Sequence, residues 1–164
     1  MATLPKPNHM KRIDAVTLYI TLRNMGQKPL PISRHTASAC LKLKPIFEDY
    51  EERRKVLLEN CAEMDDGGEP LGRMDDEGDR IKKPATISDI EWRTGKQKEY
   101  RDEMKALGNE VVGEELTFDA ADCNRTVYES SVKKERKIGD ILTERLGAND
   151  IEVLLEYGII ENYE

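Results

Sequence analysis

Residues 33–64 decide the fold, and they read SRHTASACLKLKPIFEDYEERRKVLLENCAEM. Ser33 suits the N-cap of a helix because its hydroxyl can accept a hydrogen bond from a free backbone N–H group. Apolar and aromatic side chains then recur at alternating spacings of four and three residues, which places them on one stripe of a helix about 48 Å long. The stripe consists of Thr36, Cys40, Leu43, Phe47, Tyr50, Arg54, Leu57, Cys61 and Met64.

Pro45 lies inside this pattern. Proline has no backbone N–H and its ring crowds the preceding turn, so we expect the long helix to be kinked or split there. A long helix with a narrow apolar stripe is not stable alone. We expect the N-terminal and C-terminal helices of the same chain to cover the stripe. The alternative is that part of it faces another copy or another protein, as in a coiled coil.

Weaker helical patterns flank the long helix on both sides. One runs from Met10 to Gly26, and a second runs from Ile87 to Leu107 with Gly95 near its middle. Two short amphipathic segments lie towards the C-terminus, at residues 138–146 and 149–160. These patterns predict that terminal helices pack against the long helix.

Residues 110–118 are the best strand candidate in the sequence. One strand is not stable alone, and residues 71–87 or 126–133 are the candidate partners. The whole sequence therefore predicts an α+β fold, mainly α, with a small β element near residues 110–118. We expect residues 1–164 to form a single domain, with residues 1–8 as an extended arm because of their two prolines.

The net charge of −7 is distributed unevenly along the chain. Residues 59–79 hold nine acidic side chains and one basic one, and residues 65–83 read as an acidic, glycine-rich flexible loop or hairpin. No register of this segment satisfies the calcium-binding loop of an EF-hand. Blocks of like charge are usually solvated, but they also serve as electrostatic contacts. The candidate partner-binding residues are Asp65, Asp66, Asp75, Asp76, Glu77 and Asp79, together with Tyr50, Arg54 and Leu57 of the stripe.

Several classes of function find no support in the composition. The sequence has no apolar run of about 18 residues, so no membrane contact is expected. Its negative charge repels a phosphate backbone and so disfavours a nucleic-acid partner. The first 25 residues carry charges throughout and lack the apolar region of a signal peptide, which predicts a cytoplasmic protein with reduced thiols.

The chemistry of known active sites is also missing from the sequence. No metal-binding motif and no phosphate-binding glycine loop occurs. Cys40 and Cys61 lie on the apolar stripe, and Cys123 follows an acidic residue, which disfavours a thiolate. We therefore predict that the protein is not an enzyme and has no cofactor and no metal. A metal-dependent hydrolase using the clustered carboxylates is kept as a distant alternative.

Four segments of the chain share a pattern with a known group of proteins. They are Leu30-Pro31-Ile32-Ser33, residues 47–54 (FEDYEERR), Met64-Asp65-Asp66-Gly67-Gly68, and the last helix at 149–160. In this combination the sequence resembles small phage- and prophage-encoded proteins of unknown function. These share an LP connector, a long helix rich in YEExR, an acidic glycine turn and a final helix after Asn or Asp. The resemblance covers about half of the chain, and Pro45 and Cys61 depart from it. It implies a phage origin and a mostly helical fold.

We expect from these patterns a non-enzymatic protein that works through protein–protein interaction. The first hypothesis is a phage-encoded structural or assembly component that contacts copies of itself or neighbouring virion proteins. It would be found in the cytoplasm of the bacterial host or in the virion. The alternative is a phage-encoded inhibitor of a host defence protein, in which the acidic 59–79 segment occupies a basic surface.

Overall fold

The computed structural model describes residues 9–112 and 116–164. Within these ranges the fold is α+β and mainly α, as predicted. The helices are α1 (Arg12–Met25), α2 (Ser33–Cys61), α3 (Lys96–Asn109), α4 (Ile138–Arg145) and α5 (Ala148–Glu156), with a 3-10 helix at Ile87–Asp89. The strands are β1 (Ala121–Asp122), β2 (Thr126–Glu129), β3 (Lys134–Lys137) and β4 (Ile160–Glu161).

The chain divides into two compact units. Unit 1 comprises the described residues up to Phe47 and those from Val111 onward, and unit 2 comprises Glu48–Glu110. Helix α2 contributes its first half to unit 1 and its second half to unit 2. The boundary at Phe47 was not predicted. We expected a single domain because the apolar stripe of α2 continues past Phe47 without a break.

Helix α2 begins at Ser33 as predicted and ends at Cys61, three residues before the predicted end. We expected a kink or a split at Pro45, and the helix continues through this residue without a split. Pro45 cannot donate to the carbonyl of Leu41 four residues earlier. Both residues are exposed, and the Leu41 side chain is 73% accessible, so water can take the place of the missing donor.

The terminal helices cover the first half of α2, as expected, and form the core of unit 1. The rings of Tyr19 and Phe47 lie with their centroids 4.7 Å apart. Leu43 of α2 is fully buried in the same cluster as Leu142 of α4 and Leu154 of α5. Each such side chain contributes about 1.5–3 kcal/mol of burial free energy, which makes this cluster the main support of unit 1.

The strands are placed differently from the prediction. Strand β1 pairs with β4 in parallel, and β2 pairs with β3 as an antiparallel hairpin. In the predicted region 110–118, the described residues form only isolated bridges, at Val111 with Lys11 and at Leu116. Residues 113–115 of that region and the predicted arm at 1–8 lie outside the described residues. Strand β2 lies within residues 126–133, one of the two segments expected to supply a strand, but it pairs with β3 and not with residues 110–118. Strand β3 was not predicted, because its four residues are all charged and lack the apolar alternation of a half-buried strand.

Unit 2 contains the second half of α2, helix α3 and the connection between them. The predicted helix at 87–107 begins only at Lys96. Gly95 precedes it with φ of 73°, a left-handed conformation that a helix interior does not contain. The glycine expected to weaken the middle of the helix therefore lies at its start.

Candidate functional site

A closed ring of backbone hydrogen bonds organises the connection in unit 2. The N–H of Glu63 donates to the carbonyl of Glu91 at 2.9 Å, that of Glu91 donates to Leu71 at 2.8 Å, and that of Leu71 donates back to Glu63 at 2.8 Å. Three passes of the chain are thus each bonded to the other two. Backbone hydrogen bonds within residues 61–93 therefore hold the acidic segment in place.

Two tight turns project from this ring, and we call them the first turn (residues 65–69) and the second turn (residues 75–79). In both, the opening aspartate accepts two backbone hydrogen bonds through its own carboxylate, at 2.9–3.0 Å. Gly68 and Gly78 occupy the same place in the two turns with φ of 79° and 85°. Of the two sequence interpretations of this segment, loop or hairpin, the structure contains the hairpin.

The acidic candidates therefore fall into two groups. Asp65 and Asp75 use their carboxylates to hold the turns. The others are exposed side chains on the turns, namely Asp66, Asp76, Glu77 and Asp79. Among residues 9–112 and 116–164, no three His, Cys, Asp or Glu side chains converge as a metal site would require.

Unit 2 also carries an apolar groove between α2 and α3, with a volume of about 350 Å³. Its apolar lining comes from Val56 and Leu57 on α2 and from Ala106 and Leu107 on α3. Its polar lining consists of Glu52, Arg53, Glu103 and Glu110. Arg53 pairs with Asp49 at 3.3 Å, so the charge at the groove is mainly negative.

A second depression in unit 2, the basic cleft, has a volume of about 940 Å³. Leu58, Ile90 and Tyr100 provide apolar lining. The cleft is lined by four cationic side chains and only two anionic ones, in a chain that is acidic overall. The cations are Arg54, Lys82, Lys83 and Arg101, and the anions are Asp65 and Glu69.

The three candidates from the helical stripe are all half-buried. Arg54 lines the basic cleft and pairs with Glu51 at 3.0 Å, and this hydrogen bond raises the pKa of the guanidinium. Leu57 lines the apolar groove instead. The pKa of Tyr50 is raised by burial and then by the nearby Tyr100 hydroxyl. The predicted site residues therefore do not converge. Arg54 and Leu57 line different depressions, and the acidic candidates lie on two separate turns.

Three of the four cations of the basic cleft, all except Arg54, were not predicted from the sequence. Lys82 and Lys83 follow the second turn, whereas Arg101 lies on α3. A weak signal existed, because residues 80–108 carry eight basic and five acidic side chains. A separate signal pointed to the two turns. It is the repeat of Met-Asp-Asp at 64–66 and, ten residues later, at 74–76.

The cysteines sit in surroundings that favour the thiol. Cys40, Cys61 and Cys123 are free. Burial raises the pKa of all three, and it raises that of Cys123 to about 11, with a further contribution from the Asp122 carboxylate.

Within residues 9–112 and 116–164, none of the helices has the length and apolar character needed to cross a bilayer. Models of known families, curated protein sequences and solved structures give no significant match to this chain.

Proposed function

We propose that this chain is a phage-encoded protein that works by binding other proteins, as a structural or assembly component. The proposed partners are further copies of itself and neighbouring virion proteins. The sequence pattern shared with small phage proteins supports the origin, and the surface of unit 2 supports the mode of action.

The observation that carries the proposal is the incomplete cover of the apolar side chains in unit 2. All of its residues, 48–110, are described, and its buried hydrophobic side chains are only Cys61, Ala62, Tyr100 and Leu107. Leu57, Leu58 and Met104 are half-buried, and Val56 is 47% accessible. A helix pair that leaves its facing side chains partly in water gains stability when a partner removes that water.

The apolar groove defines the kind of partner segment that would fit. Its lining joins a few aliphatic side chains to several carboxylates, which complements a short helix with an apolar face and basic flanks. Such anchoring side chains usually dominate the energy of an interface.

The test compares two aspartate substitutions at equally exposed positions. Val56→Asp places a charge in the apolar groove, and Ile20→Asp places one on α1 of unit 1, where the side chain is 46% accessible. Each variant is mixed with the purified products of the genes adjacent to its own, and binding is measured by light scattering and titration calorimetry.

We expect Val56→Asp to weaken binding by about tenfold or more, which corresponds to about 1.4 kcal/mol. Ile20→Asp should bind like the unmodified chain. The proposal is wrong if the unmodified chain stays monomeric at high concentration and binds none of these proteins.

A second candidate function is inhibition of a host defence protein through the acidic 59–79 segment. It is favoured by the two turns, which hold Asp66, Asp76, Glu77 and Asp79 on an ordered backbone before any partner is met. Replacing these four by Asn or Gln leaves Asp65 and Asp75 to hold the turns. The substituted chain should then lose salt-sensitive binding to the host protein, and unchanged binding would exclude this function.

A further inference from the structure

We infer that two copies of this chain associate through unit 2, with the second turn of each copy seated in the basic cleft of the other. This inference rests on the proposed function and deepens it by naming one partner and the surfaces that meet. It follows from two sets of charges that the fold leaves without counter-charges.

The first set is the tip of the second turn. Asp76, Glu77 and Asp79 are exposed, and no described residue pairs with their carboxylates. The turn itself is ordered, since the Asp75 carboxylate accepts from the N–H groups of Glu77 and Asp79. A tip whose backbone is already fixed loses less conformational entropy on binding than a flexible loop does.

The second set lies at the basic cleft. Lys82, Lys83 and Arg101 are exposed, and no described residue forms an ion pair with them. Of the two anions at the cleft, Asp65 already accepts two backbone hydrogen bonds within the first turn. The cleft therefore offers its cations to an incoming acidic segment, and its volume of about 940 Å³ leaves room for a turn.

Tip and cleft belong to the same compact unit. Unit 2 of each copy therefore carries both an anionic tip and a cationic cleft. Two copies related by a two-fold axis can satisfy both at once, because each contact is then made twice with the roles exchanged. Exposed ion pairs contribute little individually, so the association should be weak and strongly dependent on salt.

The experiment uses two charge reversals in the full-length chain. The cleft variant is Lys82→Glu with Lys83→Glu, and the tip variant is Asp76→Lys with Glu77→Lys. The self-association of each is measured by sedimentation velocity and by light scattering across a wide concentration range. Far-UV circular dichroism checks that each variant is folded.

The unmodified chain should dimerise at low salt, and its dissociation constant should rise by about tenfold or more near 1 M salt, where the screening length falls to about 3 Å. Each variant alone should be monomeric, because tip and cleft then carry the same sign. An equimolar mixture of the two should form a heterodimer, since each tip meets a cleft of opposite charge.

The matched control is Lys28→Glu with Lys134→Glu, two exposed lysines of unit 1. It changes the net charge as much as the cleft variant does, and it should dimerise like the unmodified chain. The inference is overturned if the unmodified chain is monomeric throughout, if the cleft variant dimerises as well as the control, or if the mixture stays monomeric. If the inference fails while Val56→Asp still weakens binding to other proteins, the proposed function stands with a different partner.

Discussion

Asp65 and Asp75 stand ten residues apart and make the same hydrogen bonds. The Oδ1 atom of Asp65 accepts from the N–H groups of Gly67 and Glu69, both at 2.9 Å. The Oδ1 atom of Asp75 accepts from Glu77 at 3.0 Å and from Asp79 at 2.9 Å. The two aspartates that open the turns thus fix the backbone geometry of the acidic segment, while their neighbours supply its surface charge.

Removing the Asp65 carboxylate should therefore destabilise unit 2, whereas removing a neighbouring charge should not. We expect Asp65→Ala to lower the free energy of unfolding by about 1–2 kcal/mol, the usual effect of losing a carboxylate that caps backbone N–H groups. Asp65→Asn keeps an acceptor oxygen, so it should lower the free energy of unfolding by only a few tenths of the loss expected for Asp65→Ala. Urea unfolding followed by the fluorescence of Trp92, the only tryptophan of the chain, measures the change.

Asp66→Ala is the control for this prediction. The Asp66 side chain is exposed and holds no turn, so its removal should change the free energy of unfolding by less than about 0.5 kcal/mol. An equal loss in Asp66→Ala and Asp65→Ala would mean that charge, rather than the hydrogen bonds, matters in this segment.

Gly72 is the position in unit 2 that tolerates a side chain least. A Cβ atom there would lie 1.9 Å from the carbonyl oxygen of Ile81, and both are backbone-fixed. Gly72→Ala should cost about 3 kcal/mol or more, because an overpacked site relaxes only by moving the chain. At Gly67 a Cβ would lie 3.4 Å from its nearest neighbour. The free energy of unfolding of Gly67→Ala should therefore lie within about 1 kcal/mol of that of the unmodified chain. Similar losses in both variants, by the Trp92 fluorescence assay, would contradict this account.

The long helix could be predicted from the sequence because its signal is local and repeated. The stripe from Thr36 to Cys61 follows from spacing alone, and its first half is covered by the terminal helices as expected. The choice between a kink and a split at Pro45 could not be predicted, because the outcome depends on whether the carbonyl that it leaves unpaired faces water, and side-chain spacing does not report that.

The basic cleft could not be predicted because its parts come from separate elements. Lys82 and Lys83 line the same cleft as Arg101 of α3. The ring of backbone hydrogen bonds among Glu63, Leu71 and Glu91 organises the connection that carries both lysines. That ring is made of backbone groups and leaves no pattern of residue types. The pairing of β2 with β3 could not be predicted for a related reason, since charge pairs between the hairpin and α4 accompany the packing of Val127 against the core.

Glu129 lies at the centre of that charge cluster in unit 1. It is only 12% accessible, and it pairs with Arg136 at 3.2 Å and with Arg145. Glu129→Gln leaves two part-buried guanidinium groups with a weaker acceptor, so we expect the free energy of unfolding to fall by about 1–3 kcal/mol. Thermal or urea unfolding followed by circular dichroism measures this change. Glu152→Gln, at an exposed site of α5, should be nearly neutral. A neutral Glu129→Gln would show that the cluster does not stabilise unit 1.

The Cys123 thiol makes the stability of unit 1 depend on alkaline pH. Its pKa is raised from 9.0 to about 11, first by burial and then by the Asp122 carboxylate. The folded state therefore holds its proton where the unfolded state has lost it, so this contribution is complete below pH 9 and is lost as the pH rises through about 11.

Cys123→Ala removes this contribution. Its free energy of unfolding should start lower, because a buried side chain is truncated, but should fall less steeply between pH 9 and 11. Urea unfolding of both proteins across that interval measures the two slopes. Parallel slopes would mean that the Cys123 thiol is not the group responsible.

Unit 1 is built from residues on both sides of unit 2, and this fixes the order in which a ribosome supplies its parts. At about 5–20 residues per second, synthesis takes several seconds to pass from Phe47 to the C-terminal helices. During that interval the newly made α1 and α2 lack α4 and α5, while all of unit 2 emerges. The continuous segment of unit 2 is therefore synthesised completely before α4 and α5 exist, and the apolar side chains of α1 and of the first half of α2 stay uncovered by these two helices until they have been made.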